Sequence, residues 1–212
     1  MHWLASPLMD TSTVNKPAEG EVPTLHGQAL ANLRFIRETM EGAGYFTAVP
    51  GSAGVVMGTI GLLAAAVAAI PGLASLWLQV WLIAAVAATT VGGLLIAYKA
   101  RTTGITLYHG SAKRFVLSLS PALLAGVIFT VVLVYNELTT LIPGTWMVLY
   151  GCAMMAASLV SLPVIAAMGA AFMLLGTVAF LTPVSLANLL LGAGFGGLHL
   201  VFGMLLAKRH RG

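Results

Sequence analysis

The chain has 212 residues, of which 59% are hydrophobic and only 8% charged, with a formal net charge of +4. A soluble domain carries about 25% charged residues, so this composition excludes a chain whose whole surface faces water. A single cysteine, Cys152, excludes an internal disulfide and, lying in an apolar segment, reads as a small packing residue.

Residues 1–24 are polar and broken by Pro7, Pro17 and Pro23, which predicts a disordered cytosolic arm. The arm has no basic stretch followed by an apolar one, as a signal peptide would, and Met9 is a second candidate start. From residue 25 the pattern changes. Leu25, Ala29, Leu33, Ile36 and Met40 recur at steps of three and four, the spacing of one helical face. The spacing predicts an amphipathic helix over 25–41, and an approach turn through Pro50 completes the region 25–50. Two placements suit it. It lies on the cytosolic membrane surface, where Arg34 and Arg37 meet headgroups, or it packs on cytosolic loops with Glu38 and Glu41 solvated.

Residues 51–207 read as a transmembrane bundle. From Ser52 to Tyr98 no charged residue occurs. As a helix that run is about 70 Å long, against a hydrocarbon core of about 30 Å, so it crosses twice and turns at Pro71-Gly72. The expected helices are 52–70 and 74–98. A polar loop follows to Arg114, and a third helix spans 115–135. Thr145 to Ala207 is again free of Lys, Arg, Asp and Glu. Its helical length of about 95 Å fits three crossings, divided at Pro163 and Pro183 into 145–161, 163–182 and 184–207. The basic tail 208–212 closes the chain. The fold class is therefore all-α, a polytopic membrane protein with six transmembrane helices and an N-terminal amphipathic cytosolic helix.

The ten Lys and Arg residues fall in three groups: before helix 1, between helices 2 and 3, and after helix 6. Six crossings put all three groups on one side. The positive-inside rule makes that side cytoplasmic, so both termini are expected in the cytoplasm of a bacterial inner membrane. This accounts for the positive balance better than nucleic-acid binding does, and no nucleic-acid partner is expected. Trp77, Trp81, Tyr135, Trp146 and Tyr150 are then expected at the outer interface, as aromatic belts are. Ile70-Pro71-Gly72, Ile142-Pro143-Gly144 and Leu181-Thr182-Pro183 repeat as turn sequences and suggest three stacked hairpins.

Helix 6 carries the most unusual pattern. Asn188, Gly192, Gly196, His199 and Gly203 recur at steps of three and four, which at about 100° per residue places them within an arc of about 80°. The glycines let another backbone approach, and Asn188 and His199 can bond across the contact. His199 is the one ionisable residue deep in a span. It reads either as a neutral imidazole bonded to a neighbouring helix or as a proton-relay or ligand contact. Glu137, at the outer end of helix 3, reads as a solvated end residue or as a contact for a cation or substrate.

Motifs for zinc, for phosphate loops and for paired thiols do not occur. No catalytic residue, metal site or cofactor is expected, and the chain is not expected to be an enzyme. The expected partners are the bilayer itself, a second copy through the glycine faces, and a cytosolic protein through the N-terminal region. The alternative to such interaction is a small-solute transporter or channel with a path near His199.

Leu33-Arg34-Phe35-Ile36-Arg37-Glu38-Thr39-Met40-Glu41, Ala48-Val49-Pro50-Gly51 and Gly194-Phe195-Gly196-Gly197-Leu198-His199 with Phe202-Gly203 resemble an uncharacterised family of small bacterial six-helix integral membrane proteins. The resemblance covers the first helix, helix 1 and helix 6. It implies location in the membrane and no particular activity. The three-hairpin layout is similar in outline to acid-resistance membrane proteins of the HdeD type, with no motif that carries that function across.

Overall fold

The structure is a computed structural model that describes residues 28–30, 32–34, 49–103 and 110–209. The chain divides into two units, Met1–Thr39 and Met40–Gly212. In the first unit the described residues 28–30 and 32–34 are helical and exposed, within the stretch where the amphipathic helix is expected. The arm 1–24, the approach turn up to Ala48, His109 and the tail from His210 lie outside the described residues.

The second unit holds six segments long and apolar enough to cross a membrane, and no strand occurs among the described residues. The helices are α1 (Gly51–Ala68), α2 (Trp77–Thr102), α3 (Gly110–Tyr135), α4 (Ile142–Ser158) and α5 (Pro163–Leu181). The sixth span, Val184–Lys208, is built in pieces: a 3₁₀ turn, α6 (Ala187–Leu191), a π-helical turn at Gly192–Leu198, and α7 (His199–Arg209).

Prolines place most of the helix starts. Pro163 opens α5, and Pro143 sits in the first turn of α4, where a missing N–H costs nothing. The expected turn at Pro143-Gly144 is therefore helix, and the connection lies at Asn136–Leu141. Consequently α4 runs 142–158 instead of 145–161. A 3₁₀ turn at Pro71–Leu76 delays α2 to Trp77, and α2 then continues to Thr102, past the expected 98. Helix α3 begins at Gly110, five residues before the expected start.

Pro121 lies inside α3 and leaves the Leu117 carbonyl without its usual N–H. The Ser120 hydroxyl donates to that carbonyl at 3.2 Å. Thr59, Thr130, Thr145, Thr177 and Thr182 likewise donate to carbonyls four residues back, which keeps their hydroxyls satisfied in an apolar medium.

Packing joins α1 to both α2 and the sixth span, and α4 to both α3 and α5. Two groups of three helices result. The expected hairpins α1/α2 and α3/α4 are present. The third is not, because α5 packs mainly on α4 and the sixth span mainly on α1. Lys99, Arg101, Lys113, Arg114 and Lys208 all fall at the helix ends nearest Gly51 and Ser158, here called the basic end. There Ala100 of α2, Ala112 and Phe115 of α3, Ala157 of α4 and Ile165 of α5 form one buried cluster. Helices α2 and α3 face outward along most of their length, with 11% and 6% of their spanning windows buried. In water such surface would be untenable; in a bilayer it is the lipid-facing surface.

Glu137 follows α3 with φ of 60°, the one positive value outside glycine among the described residues. The Leu138 amide donates to the Leu133 carbonyl at 2.8 Å and the Glu137 amide to Val134 at 3.1 Å. This is a Schellman ending with glutamate at the left-handed position, where glycine is usual. Glutamate costs about 1 kcal/mol there. Glu137→Gly is expected to raise the thermal unfolding midpoint in detergent, by an amount equivalent to roughly 0.5–1 kcal/mol.

Candidate functional site

The sixth span meets α1 glycine to backbone, in antiparallel register. A Cβ added at Gly58 would lie 2.7 Å from the Leu200 amide nitrogen and 2.8 Å from the Gly196 carbonyl oxygen. One at Gly61 would lie 2.6 Å from the Phe195 carbonyl carbon, and one at Gly203 would lie 2.6 Å from the Val55 nitrogen. Gly192 faces Ala65. The expected face of Gly192, Gly196 and Gly203 thus exists, and α1 occupies it. A second contact of this kind joins Gly151 of α4 to Gly169 of α5, and Gly176 to the Gly144 carbonyl. Both glycine seams are filled within one chain.

Asn188 stands at the upper end of the α1 seam. Its Nδ2 donates to the Ala65 carbonyl at 2.8 Å, and its Oδ1 accepts from Trp81 Nε1 at 3.1 Å. One amide therefore links α6, α1 and α2. Trp81 is 3% exposed, so it is a core residue and not part of the expected interfacial belt.

His199 departs from the glycine face. Its ring turns toward α4 and α5, where Nε2 lies 2.8 Å from the Tyr150 hydroxyl. Either the hydroxyl donates to a bare Nε2 or it accepts from Nε2–H. Ring centroids of Tyr150 and Phe172 both lie 5.4 Å from the imidazole, and that of Phe195 lies 6.2 Å away. The ring is 4% exposed. Its Nδ1 has no hydrogen-bond partner among the described residues.

The turn before His199 is π-helical. It inserts extra chain per turn just before His199; the backbone stays on the α1 seam through Gly203, while the His199 ring turns to α4 and α5. Four of its seven residues are glycine. Gly192 and Gly196 admit α1, and Gly194 admits Phe172 and Met147 on the opposite side, at 3.1 and 3.2 Å from an added Cβ. Such turns concentrate at functional positions.

Tyr150 is the partner that sequence reasoning missed, having been expected at the outer interface. Because α4 starts at Ile142, Tyr150 sits about 4.5 Å deeper than a helix starting at 145 would place it. The one available signal was a phenol hydroxyl inside a charge-free run. Trp77 and Trp146 do sit near the end opposite the basic clusters, stacked at 6.3 Å and 12°, with the Trp146 indole donating to Thr130 at 2.7 Å.

At that same end a cleft of about 380 Å³ opens between the two helix groups. Trp77, Pro143, Thr139, Thr140, Ser185 and Asn188 line it, with alanines and Val184. Asn188 thus belongs both to the cleft and to the Trp81 contact beneath it. Trp81 touches Phe195 in turn, with centroids 6.3 Å apart, and Phe195 lies against Tyr150 at 5.3 Å. From Asn188 at the cleft, Trp81, Phe195 and Tyr150 thus form a line of contacts to His199. Glu137 is exposed and lies outside the cleft lining. Among the described residues no three His, Cys, Asp or Glu side chains stand close enough to share a metal ion. Comparison with protein-family models, with curated proteins and with solved structures finds no match to this chain.

Proposed function

We propose that this multi-pass membrane protein resides in a bacterial inner membrane with both termini in the cytoplasm. In this reading it works without catalysing a reaction. It admits a small solute along a path that opens at the cleft and narrows at the Tyr150–His199 pair. The observation that carries the reading is His199 Nδ1, a buried ring nitrogen without a partner among the described residues, on a ring that joins the two helix groups. An unsatisfied group of this kind costs about 1–3 kcal/mol, and intramembrane ionisable residues mark substrate and ion pathways. The bond to Tyr150 can open when the groups separate, and the freed hydroxyl and imidazole then offer donors and acceptors to a passing molecule.

Cysteine accessibility tests this. With Cys152→Ala as background, Ser185→Cys reports the cleft and Tyr150→Cys the constriction. An impermeant thiol reagent added outside intact cells is expected to modify Ser185→Cys quickly and Tyr150→Cys about tenfold more slowly. A Tyr150→Cys chain that stays unmodified from either side of the membrane ends the path reading. A second reading would then stand: action through self-association or a protein partner. The thin protein cover of α2 and α3 favours it, since the glycine seams are already filled.

A further inference from the structure

The cleft at the end opposite the basic clusters has a chemical character of its own. Among the described residues its lining holds no charged side chain. Of the described residues of the second unit, Lys99, Arg101, Lys113, Arg114 and Lys208 all lie at the opposite, basic end, so none of them answers an anion here. Glu137, the one acid of the connection, stays outside the lining. The occupant is therefore neutral.

The polar groups narrow the class further. The Thr139, Thr140 and Ser185 hydroxyls line the cleft and make no hydrogen bond to other described residues. The Thr130, Thr145 and Thr182 hydroxyls, by contrast, donate to carbonyls four residues back. Each free hydroxyl is both donor and acceptor. Such a set matches groups that are also both, namely hydroxyls, and matches phosphates or ammonium groups less well. Asn188 adds one remaining N–H and one remaining lone pair, on an amide fixed by Ala65 and Trp81.

The apolar wall is equally specific. Trp77 is held by its stack on Trp146, and it shares the lining with Pro143, Val184 and three alanines. A rigid indole beside free hydroxyls suits a ring with an aliphatic C–H face and a hydroxylated rim. The volume of about 380 Å³ lies at the small end of ligand sites, which run about 300–1,000 Å³. It is large enough for one such ring.

We infer that the cleft is a binding site for a neutral, polyhydroxylated ring of monosaccharide size, stacked on Trp77 and bonded by Thr139, Thr140, Ser185 and Asn188. The ring is either a free sugar in the facing solution or the sugar headgroup of a glycolipid in the facing leaflet. The site does not require a path beneath it, so it stands or falls separately from the labelling of Tyr150→Cys.

The test uses the full chain in phosphatidylcholine nanodiscs, read by tryptophan emission and by the thermal unfolding midpoint. One arm titrates glucose into the solution. The other incorporates monoglucosyl diacylglycerol in the disc. A saturable change and a raised midpoint are expected in at least one arm, and the arm that responds identifies the source. Thr140→Val with Ser185→Ala, two exposed and conservative changes, is expected to weaken binding about tenfold; Trp77→Leu is expected to weaken it as well. The inference is overturned by a flat response in both arms. It is equally overturned if the Thr140→Val/Ser185→Ala chain binds like wild type, or if glucosamine or glucuronate binds more tightly than glucose.

Discussion

Gly58→Ala is expected to lower stability by about 2 kcal/mol, and Gly58→Leu to abolish the pairing of α1 with the sixth span. The new Cβ would meet the Leu200 nitrogen at 2.7 Å and the Gly196 carbonyl oxygen at 2.8 Å. These are backbone atoms of a facing helix, so no rotamer change relieves the clash. The helices must move apart, and in a bilayer lipid fills the gap with no hydrophobic force to close it again. The contrast set is internal to the protein. An added Cβ at Gly92 meets the Met57 sulfur at 2.6 Å, a flexible side chain that can swing aside, so Gly92→Ala costs about 1 kcal/mol or less. Gly93 has nothing within 4 Å, and Gly93→Ala raises stability by roughly 0.5 kcal/mol through helix propensity. Denaturant titration in mixed micelles orders the three variants. If Gly58→Ala proves as harmless as Gly93→Ala, close backbone approach is not what holds α1 to the sixth span.

The same residues show how far the sequence could be read. Six crossings were legible because each is a charge-free run bounded by Pro, Gly or basic residues, and those signals act locally. The glycine spacing in the sixth span was legible too, since Gly192, Gly196 and Gly203 do form one seam. Its partner was not. Gly51, Gly54, Gly58 and Gly61 lie far away in the chain, and their own spacing says only that some backbone approaches. Depth was less legible than existence. A proline in the first turn of a helix and a proline in a turn read alike, and taking Pro143-Gly144 as the turn put Tyr150 too near the surface. The π turn left no periodic mark that would separate it from an ordinary glycine-rich helix. His199 was expected on the α1 face, and its backbone does lie there beside Gly54, but its ring points to α4 and α5.

Removing the tyrosine hydroxyl isolates what the buried pair contributes. Tyr150→Phe leaves His199 Nε2, as well as Nδ1, without a partner and is expected to cost about 2 kcal/mol. His199→Leu keeps most of the volume between Phe172 and Phe195 but strands the Tyr150 hydroxyl, at a similar cost. The double variant Tyr150→Phe/His199→Leu removes both unsatisfied groups. It is expected to lie nearer to wild type than the sum of the singles, with a coupling of about 1 kcal/mol, inside the range for interhelical bonds in membranes. A coupling near zero in the same denaturant titration would mean that the 2.8 Å contact contributes nothing to joining the helix groups. The double variant also separates stability from function. An apolar core with no orphaned Nδ1 should fold at least as readily as one that keeps it, so folding alone gives no reason for the histidine. If the path reading is right, the double variant stays folded and Ser185→Cys still reacts from outside. Labelling of a cysteine below the pair, at Met154, then slows sharply, because the donors and acceptors that carry water past Phe172 and Phe195 are gone. Unchanged labelling at Met154→Cys would instead leave the pair as a link between the two helix groups and nothing more.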